Sequence, residues 1–460
     1  MMYQIHFDNP ISIHFIGIGG ISMSGLAEIL LTEGFRISGS DNKASELTEH
    51  LEKLGAQIQI GQKTSNIPAD CELVVYTAAI HPDNPEFAAA KKRGIPMLSR
   101  AELLGELMAN YKTAIAVSGT HGKTTTTSMI STILLEAQAD PTISVGGMLQ
   151  TIGGNIRVGH SETFLTEACE YTNSFLHFFP TIGIILNIEE DHLDFFRDLE
   201  DIRHSFRKFA QLIPDDGLLI INSDIERYEE ITRDLSCRVI TFGSSEESDY
   251  RACDISYDTL ARSSFELVNT GKKGPVFHLG VPGEHNVSNA LAAIALSDAL
   301  HIPAEAIQKG LLAFTGTDRR FQYKGEKNGF TIIDDYAHHP TEIRATLEAA
   351  AHYPHREIWC VFQPHTYTRT KSFLKDFAQA LSLADHVVLA DIYAAREIDT
   401  LGISSQTLAD ELEKLGTDVH YFPSFEEIET FLLKNCFHGD LCITMGAGDV
   451  VNIGENLLNR

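Results

Sequence analysis

The sequence predicts an α/β fold built on parallel sheets and divided into about three domains. Three observations lead there. A chain of 460 residues is too long for one ordinary domain. Short apolar runs alternate with helix-like segments along its length. Glycine-rich turns follow two of those runs, where parallel sheets place phosphate ligands.

The apolar runs at 11–16, 73–77, 114–117, 164–166, 182–186, 218–221, 239–242, 331–333, 358–362, 386–390 and 441–444 read as strands. Helical patterns lie at 22–31, 86–93, 128–137, 288–300 and 372–381. Between about 240 and 280 the texture changes to Ser-rich, alternating segments, and 265–268 and 276–279 read as antiparallel strands. Breaks near 110–113 and 315–318 divide the chain into expected domains at 1–112, 113–315 and 316–460.

Composition narrows the partners. Hydrophobic residues at 43% and charged residues at 22% describe a globular protein with ample core. A formal charge of −27 and the lack of Lys/Arg stripes exclude nucleic acid as an expected partner. The apolar runs are strand-sized, so no membrane insertion is expected. Seven scattered cysteines with no C-x-x-C pair suggest a reducing compartment. The N-terminus shows neither basic nor apolar leader features, and a cytoplasmic location is expected. The expected oligomeric state is a monomer or weak homodimer.

The segment 114–127, AIAVSGTHGKTTTT, carries the most chemistry. An apolar strand leads into a glycine turn and then a helix, which is what a phosphate cradle needs. Gly119 and Gly122 let the backbone curl so that several N–H groups point at phosphate oxygens, and Gly119, Thr120, His121, Gly122, Lys123, Thr124 and Thr125 are the expected ATP-binding residues. Lys123 would meet the β- and γ-phosphates, and Thr124 would coordinate Mg²⁺. Two residues separate the glycines where the common pattern has four, and Val117 stands at the usual first glycine. The expectation is a nucleoside triphosphate with magnesium.

Four further constellations follow apolar runs. HFIGIGGISMSG at 14–25, with GSD at 39–41, outlines a dinucleotide-type βαβ unit, although Ser22 replaces the third glycine. Glu167 and Glu170 end the strand after the phosphate loop, where a carboxylate can hold phosphate-bound Mg²⁺; Glu170 is favoured. Asp191-His192 offers an oxygen and an imidazole. DDYAHHPTE at 334–342, QPHTYTR at 363–369 and DIYAARE at 391–397 should converge on one sheet edge. Zinc at His338-His339 is not expected, since no third ligand stands at metal spacing. Arg369 has the fork to grip a carboxylate.

In order, the motifs GIGGISMSGLA, GSD, SGTHGKTTTT, EACEYTNSF, NIEEDHLD, PGEHNVSNALAA, DRRFQ, DDYAHHPTEI, QPHTYTRT and DIYAAREI resemble the Mur ligases of peptidoglycan synthesis essentially end to end. The resemblance implies a Rossmann-like N-terminal domain, a central P-loop ATPase-type domain and a C-terminal Rossmann-like α/β domain. It implies that Gly17, Gly19, Gly20 and Asp41 bind a UDP-sugar, and that the adenine of ATP lies near His285, Asn286 and Asn289. It implies an ATP-dependent ligase that activates the carboxylate of UDP-N-acetylmuramate as an acyl phosphate for attack by L-alanine, in cell-wall biogenesis and hence cell shape and division. Lys123 and Arg320 would neutralise the transferring phosphoryl group. Thr124 and Glu170 would hold one Mg²⁺, and His192 a second. Tyr336, His338 and Arg369 would hold the amino acid.

Two departures accompany the resemblance. Several relatives carry a carbamylated Lys after the Asp-His motif, and here that position falls on Phe206, so Lys208 is not given the role. Some relatives carry Arg where this chain has Thr366, which leaves the amino-acid carboxylate to Arg369. Competing readings are a peptide-joining relative, an NAD(P)-dependent oxidoreductase and a nucleotide-gated scaffold.

Overall fold

A computed structural model describes residues 3–77, 79–395 and 397–460. Arg396, within the 391–397 motif, lies outside the described residues, as do Met1, Met2 and Ala78. The chain forms two compact units. One holds residues 1–189, 200–241 and 295–303; the other holds 190–199, 242–294 and 304–460.

The first unit begins with a parallel sheet ordered Gln57–Ile60, Arg36–Asp41, Ser12–Ile16, Leu73–Tyr76, Met97–Ser99. The strand Ser12–Ile16 is buried along its full length, so it carries no alternating polar face. The helix Ile21–Thr32 follows it and packs one side of the sheet. A second sheet in this unit has Thr113–Ser118 at its centre, flanked in parallel by Ile182–Ile185 and Thr163–Ala168. Thr142–Leu149 extends it in parallel, and the short Gly154–Arg157 closes that side antiparallel.

The helix after the phosphate loop runs Lys123–Glu136 and so starts five residues before the expected 128. Four consecutive threonines are poor helix formers because their β-branching restricts χ1. Burial decides otherwise: Thr126, Thr127, Met129, Ile130 and Ile133 are all fully enclosed.

The second unit contains an antiparallel set, Tyr250–Tyr257, Arg262–Asn269 and Lys272–Pro282, which includes the two strands expected from alternation. Its larger sheet is ordered Gln322–Lys327, Phe330–Asp335, Leu441–Met445, Ile358–Phe362, His386–Leu389, Asp418–Tyr421. Pairing there is parallel except at the first strand. Apolar side chains fill both faces: Ile343, Leu347, Phe377 and Leu408 lie on one, and Ile428, Leu432, Ile453 and Leu457 on the other.

The expected helix at 372–381 is two helices, Tyr367–Ser372 and Leu374–Leu381, divided at Phe373. Phe373 adopts φ −110° and packs its ring against His339 and Phe377. The break gives Arg369 a short helix of its own.

Candidate active site

The strand Thr113–Ser118 ends at the glycine turn, and Gly119 and Gly122 have φ of +146° and +81°. A β-carbon on Gly119 would come within 2.9 Å of Leu186, so this position needs glycine for conformation and for space. Gly122 begins the helix with no side-chain cap, and the first turn holds no acidic residue. The helix N-terminus therefore keeps its N–H groups and positive dipole end for an external anion.

Residues 187–189 brace the loop. Asn187 accepts from the His121 N–H at 2.7 Å and donates to the His121 carbonyl at 3.1 Å. The Thr120 hydroxyl accepts from the Glu189 N–H at 2.9 Å. Asn187 carried no expectation in the sequence. Its signal is its place at the end of an apolar strand, beside the Asp-His motif.

Two carboxylates meet this loop in different ways. Glu170 pairs with Lys123 at 2.9 Å, and the same ammonium donates to the carbonyls of Gly119 at 2.5 Å and Thr120 at 3.0 Å. Burial opposes the charge on Lys123, but the Glu170 carboxylate beside it outweighs burial and holds its pKa above the usual lysine value. Glu167 accepts from the Thr124 hydroxyl at 3.1 Å and from the Gly146 N–H at 2.5 Å. Of the two carboxylates expected near the metal, Glu167 meets the Thr124 hydroxyl directly and Glu170, the favoured one, meets Lys123. Glu167, the penultimate residue of the strand Thr163–Ala168, reaches the helix start, whereas Glu170, two residues past the strand, meets the lysine.

The donor set suits a magnesium ion. Thr124 and Glu167 supply hard oxygens beside an anion-binding helix end.

In the first sheet, Gly17 has φ +85°, and the N–H groups of Gly17 and Ile18 both donate to the Ser40 carbonyl, at 2.8 and 3.0 Å. Asp41 accepts from the Gly19 N–H at 2.9 Å, so its carboxylate braces the turn. Gly20 precedes the helix Ile21–Thr32 without capping it through a side chain, and that helix also lacks an acidic first turn. Ser22, at the place of the third glycine, accepts from the Arg100 guanidinium at 3.1 Å. The turn thus leads into an uncapped helix start with the Arg100 guanidinium beside it.

The second unit gathers the remaining expected residues. Asn286 and Asn289 are buried at the start of helix His285–Ala299, bonded to each other at 3.0 Å, and Asn286 also donates to the Pro282 carbonyl at 2.7 Å. Beside His285 lies a cavity of about 570 Å³, lined by Tyr257, Gly283, Ala345, Ala349 and His352 among others. The Tyr257 and His352 rings stack at 4.5 Å. Arg320 lies 5.4 Å from the Tyr336 ring and 3.6 Å from Glu342. Arg319 covers the same ring at 5.0 Å.

His338 packs edge-on between Tyr336 and His365, at 5.4 and 5.7 Å. Arg369 donates to His365 Nδ1 at 3.1 Å and to Asp191 Oδ1 from Nε and Nη2, at 3.2 and 2.7 Å. Burial opposes ionisation of Asp191, but Arg369 overcomes it and holds the carboxyl well below the usual range. Burial pushes His338 and His365 down to about 4, so both rings are neutral at pH 7. His192 adopts a left-handed φ of +52°, a conformation uncommon outside glycine. Tyr336, His338 and Arg369 are therefore brought together, with Asp191 and His365 added to them.

Residues 12–112 match the family description "Mur ligase family, catalytic domain", 117–297 match "Mur ligase middle domain", and 319–448 match "Mur ligase, glutamate ligase domain". The chain is 63% identical over 461 residues to the UDP-N-acetylmuramate–L-alanine ligase of Agathobacter rectalis, covering 100% of both chains. It is 61% identical over 458 residues to the enzyme of that name from Lachnospira eligens, covering 99% of this chain and 100% of the other. Among solved structures, the UDP-N-acetylmuramate–alanine ligase of Thermotoga maritima aligns with TM-score 0.80 at 31% identity, covering 98% of this chain and 99% of that one. A murein peptide ligase from Psychrobacter arcticus aligns with TM-score 0.69 at 26% identity, covering 98% of each.

Proposed function

The chain belongs to the Mur ligase family, and we propose that it joins the carboxylate of UDP-N-acetylmuramate to the amine of L-alanine with cleavage of ATP to ADP and phosphate, the carboxylate taking the γ-phosphoryl group and phosphate leaving when the amide forms. The observation that carries this reading is identity of 61–63% over essentially the full chain to two L-alanine ligases. The product is a peptidoglycan precursor. Soluble nucleotide substrates, free cysteines and the lack of a helix long and apolar enough to cross a membrane among the described residues favour a cytoplasmic location.

A carboxylate is a poor electrophile, and phosphorylation converts it to an acyl phosphate that an amine attacks. Phosphoryl transfer needs positioning and charge neutralisation more than covalent help. The glycine turn 119–122 and the uncapped helix at Lys123 receive the phosphates. Lys123, kept charged by Glu170, would meet the β- and γ-phosphates. Thr124 and Glu167 would hold Mg²⁺, which when bound neutralises phosphate charge, and His192 would serve a second ion.

Arg320 adds positive charge for the transferring group. The turn at Gly17, Gly19 and Gly20, braced by Asp41, takes the diphosphate of the UDP-sugar. The cavity beside His285 takes the adenine. Tyr336, His338 and Arg369 receive alanine, with Arg369 on its carboxylate. The neutral His338 does not repel the ammonium of an arriving amino acid.

A phosphate-release assay with ATP, UDP-N-acetylmuramate and a panel of amino acids tests the reading. Turnover with L-alanine and none with an intact tripeptide is expected. Preference for the tripeptide would transfer the chain to the peptide-joining branch.

A further inference from the structure

Arg369 has five N–H donors, and the structure commits three of them. Nε and Nη2 both reach Asp191 Oδ1, and Nη1 reaches His365 Nδ1. One hydrogen on each terminal nitrogen remains. Both side chains of the ion pair are close to fully buried, Arg369 at 10% and Asp191 at 8% exposure. A guanidinium on a flexible stem does not hold one orientation unaided, and here it is gripped from two sides.

The grip is itself fixed. Asp191 Oδ1 also accepts from the His192 N–H at 2.7 Å, through the left-handed turn at His192. His365 stands four residues before Arg369, outside the helix Tyr367–Ser372 and bridged in parallel to Tyr393, and is bracketed by the Tyr393 ring at 5.7 Å and the His338 ring at 5.7 Å. Its Nδ1 must be unprotonated to accept, which leaves the imidazole neutral.

We propose that Asp191 and His365 are positioning residues for the amino-acid carboxylate, orienting the Arg369 guanidinium so that its unused donors face that group. The inference rests on the reading that Arg369 takes the substrate carboxylate. Asp191 neutralises the buried cation in the resting site, so the substrate's own charge is added to a preorganised pair. Specificity for a free carboxylate therefore resides in three residues, two of which do not touch it.

The test compares L-alanine with L-alaninamide, which lacks the carboxylate, as acceptors in the phosphate-release assay. The quantity read is the ratio of their kcat/KM values. A general loss of activity, including one arising at His192, moves both acceptors together and leaves the ratio unchanged. In Asp191→Ala the alanine KM is expected to rise about tenfold or more, the ratio to collapse by a similar factor, and the KM for ATP to stay within about twofold. Asp191→Asn, which keeps an acceptor oxygen, is expected to restore part of the ratio and carries the test if the alanine variant does not fold. His365→Ala should lower the ratio by about threefold or more.

Arg369→Ala separates the two levels of the argument. If it lowers the ratio while Asp191→Ala, Asp191→Asn and His365→Ala leave it unchanged, the positioning role is overturned and the Arg369 reading stands. If Arg369→Ala leaves the ratio unchanged, the reading of Arg369 itself falls and the inference falls with it.

Discussion

The Glu170 carboxylate lies 2.9 Å from the Lys123 ammonium and its residue is 2% exposed, so the cation of the phosphate loop is matched by a buried anion from the next strand. Glu167, three residues earlier, meets Thr124 instead. Two acidic side chains of one short motif thus have separate tasks. One keeps a lysine charged in a partly desolvated place, and the other joins the hydroxyl that suits magnesium.

That division predicts different phenotypes. Glu167→Ala should raise the Mg²⁺ concentration for half-maximal velocity by about tenfold or more. Glu170→Ala should lower kcat by about tenfold or more and leave Mg²⁺ half-saturation within about twofold, since its partner is Lys123. Magnesium titrations of both variants at saturating substrates decide it. A larger Mg²⁺ shift in Glu170→Ala would return the metal to the residue favoured from sequence.

The second unit should lose stability on mild acidification. His338 and His365 have pKa values pushed down to about 4 by burial, against an ordinary value of 6.5. A depressed base contributes stability that is present above 6.5 and lost as pH falls towards 4, because the unfolded chain takes up the proton first. Asp335 has the opposite sign. Burial raises it to about 6 from 3.8, so it destabilises at neutral pH and relents as pH falls through 6. Between pH 7 and pH 5 the two histidines together forfeit about 4 kcal/mol and Asp335 returns about 1 kcal/mol, for a net loss of about 3 kcal/mol. Urea unfolding at the two pH values measures it. Asp335→Asn removes the opposing group and should steepen the loss, and a stability independent of pH over this range would refute the assignment.

Gly105 offers a prediction whose sign runs against helix propensity. It lies inside the helix Arg100–Met108, where replacing Gly by Ala ordinarily gains about 1 kcal/mol. A β-carbon there would overlap the backbone carbonyl of His177, which cannot swing aside as a side chain does. Gly105→Ala should therefore destabilise by about 1–3 kcal/mol and lower the first thermal transition by a few degrees. An unchanged or raised transition would show that the segment around His177 yields.

The phosphate loop was legible because its chemistry is local: a strand, two glycines, a lysine and a hydroxyl lie within a dozen residues. The buried parallel strands were legible for a similar reason, since a strand covered on both faces reads as an unbroken apolar run. Pairings across the fold left no such trace. Asp191 and Arg369 are 178 positions apart, and nothing in either neighbourhood names the other. Inside the first sheet, His14 and Glu86 meet at 3.3 Å in full burial, with Ser40 and Asn66 on the same carboxylate; alternation alone would have left Glu86 on a solvated helix start. Short strands such as Met97–Ser99 and Gln57–Ile60 carry too few residues for a period to show.

Arg319, beside the expected Arg320, is the more heavily used of the two. Its Nε donates to the fully buried Asp334 at 3.0 Å, and its terminal nitrogens donate to the carbonyls of Gly448 and Gly446 at 3.0 and 2.7 Å. Its own carbonyl accepts from the Tyr336 N–H at 2.6 Å, and its guanidinium covers the Tyr336 ring. One side chain thus ties the segment before the last sheet to two strand ends and to Tyr336. A lysine reaches one of those acceptors and leaves the others without their arginine donor, although Asp334 keeps the Thr444 hydroxyl at 2.7 Å. Arg319→Lys should cost about 2–4 kcal/mol in urea unfolding. Because Tyr336 loses one of the two guanidinium contacts on its ring, the alanine KM should rise by about fivefold, with the KM for ATP moving less. A variant that unfolds at the wild-type urea concentration would show that the Asp334 carboxylate and the two glycine carbonyls find other donors. A variant destabilised as expected but with an unaltered alanine KM would confine Arg319 to holding the sheet and release Tyr336 from its control.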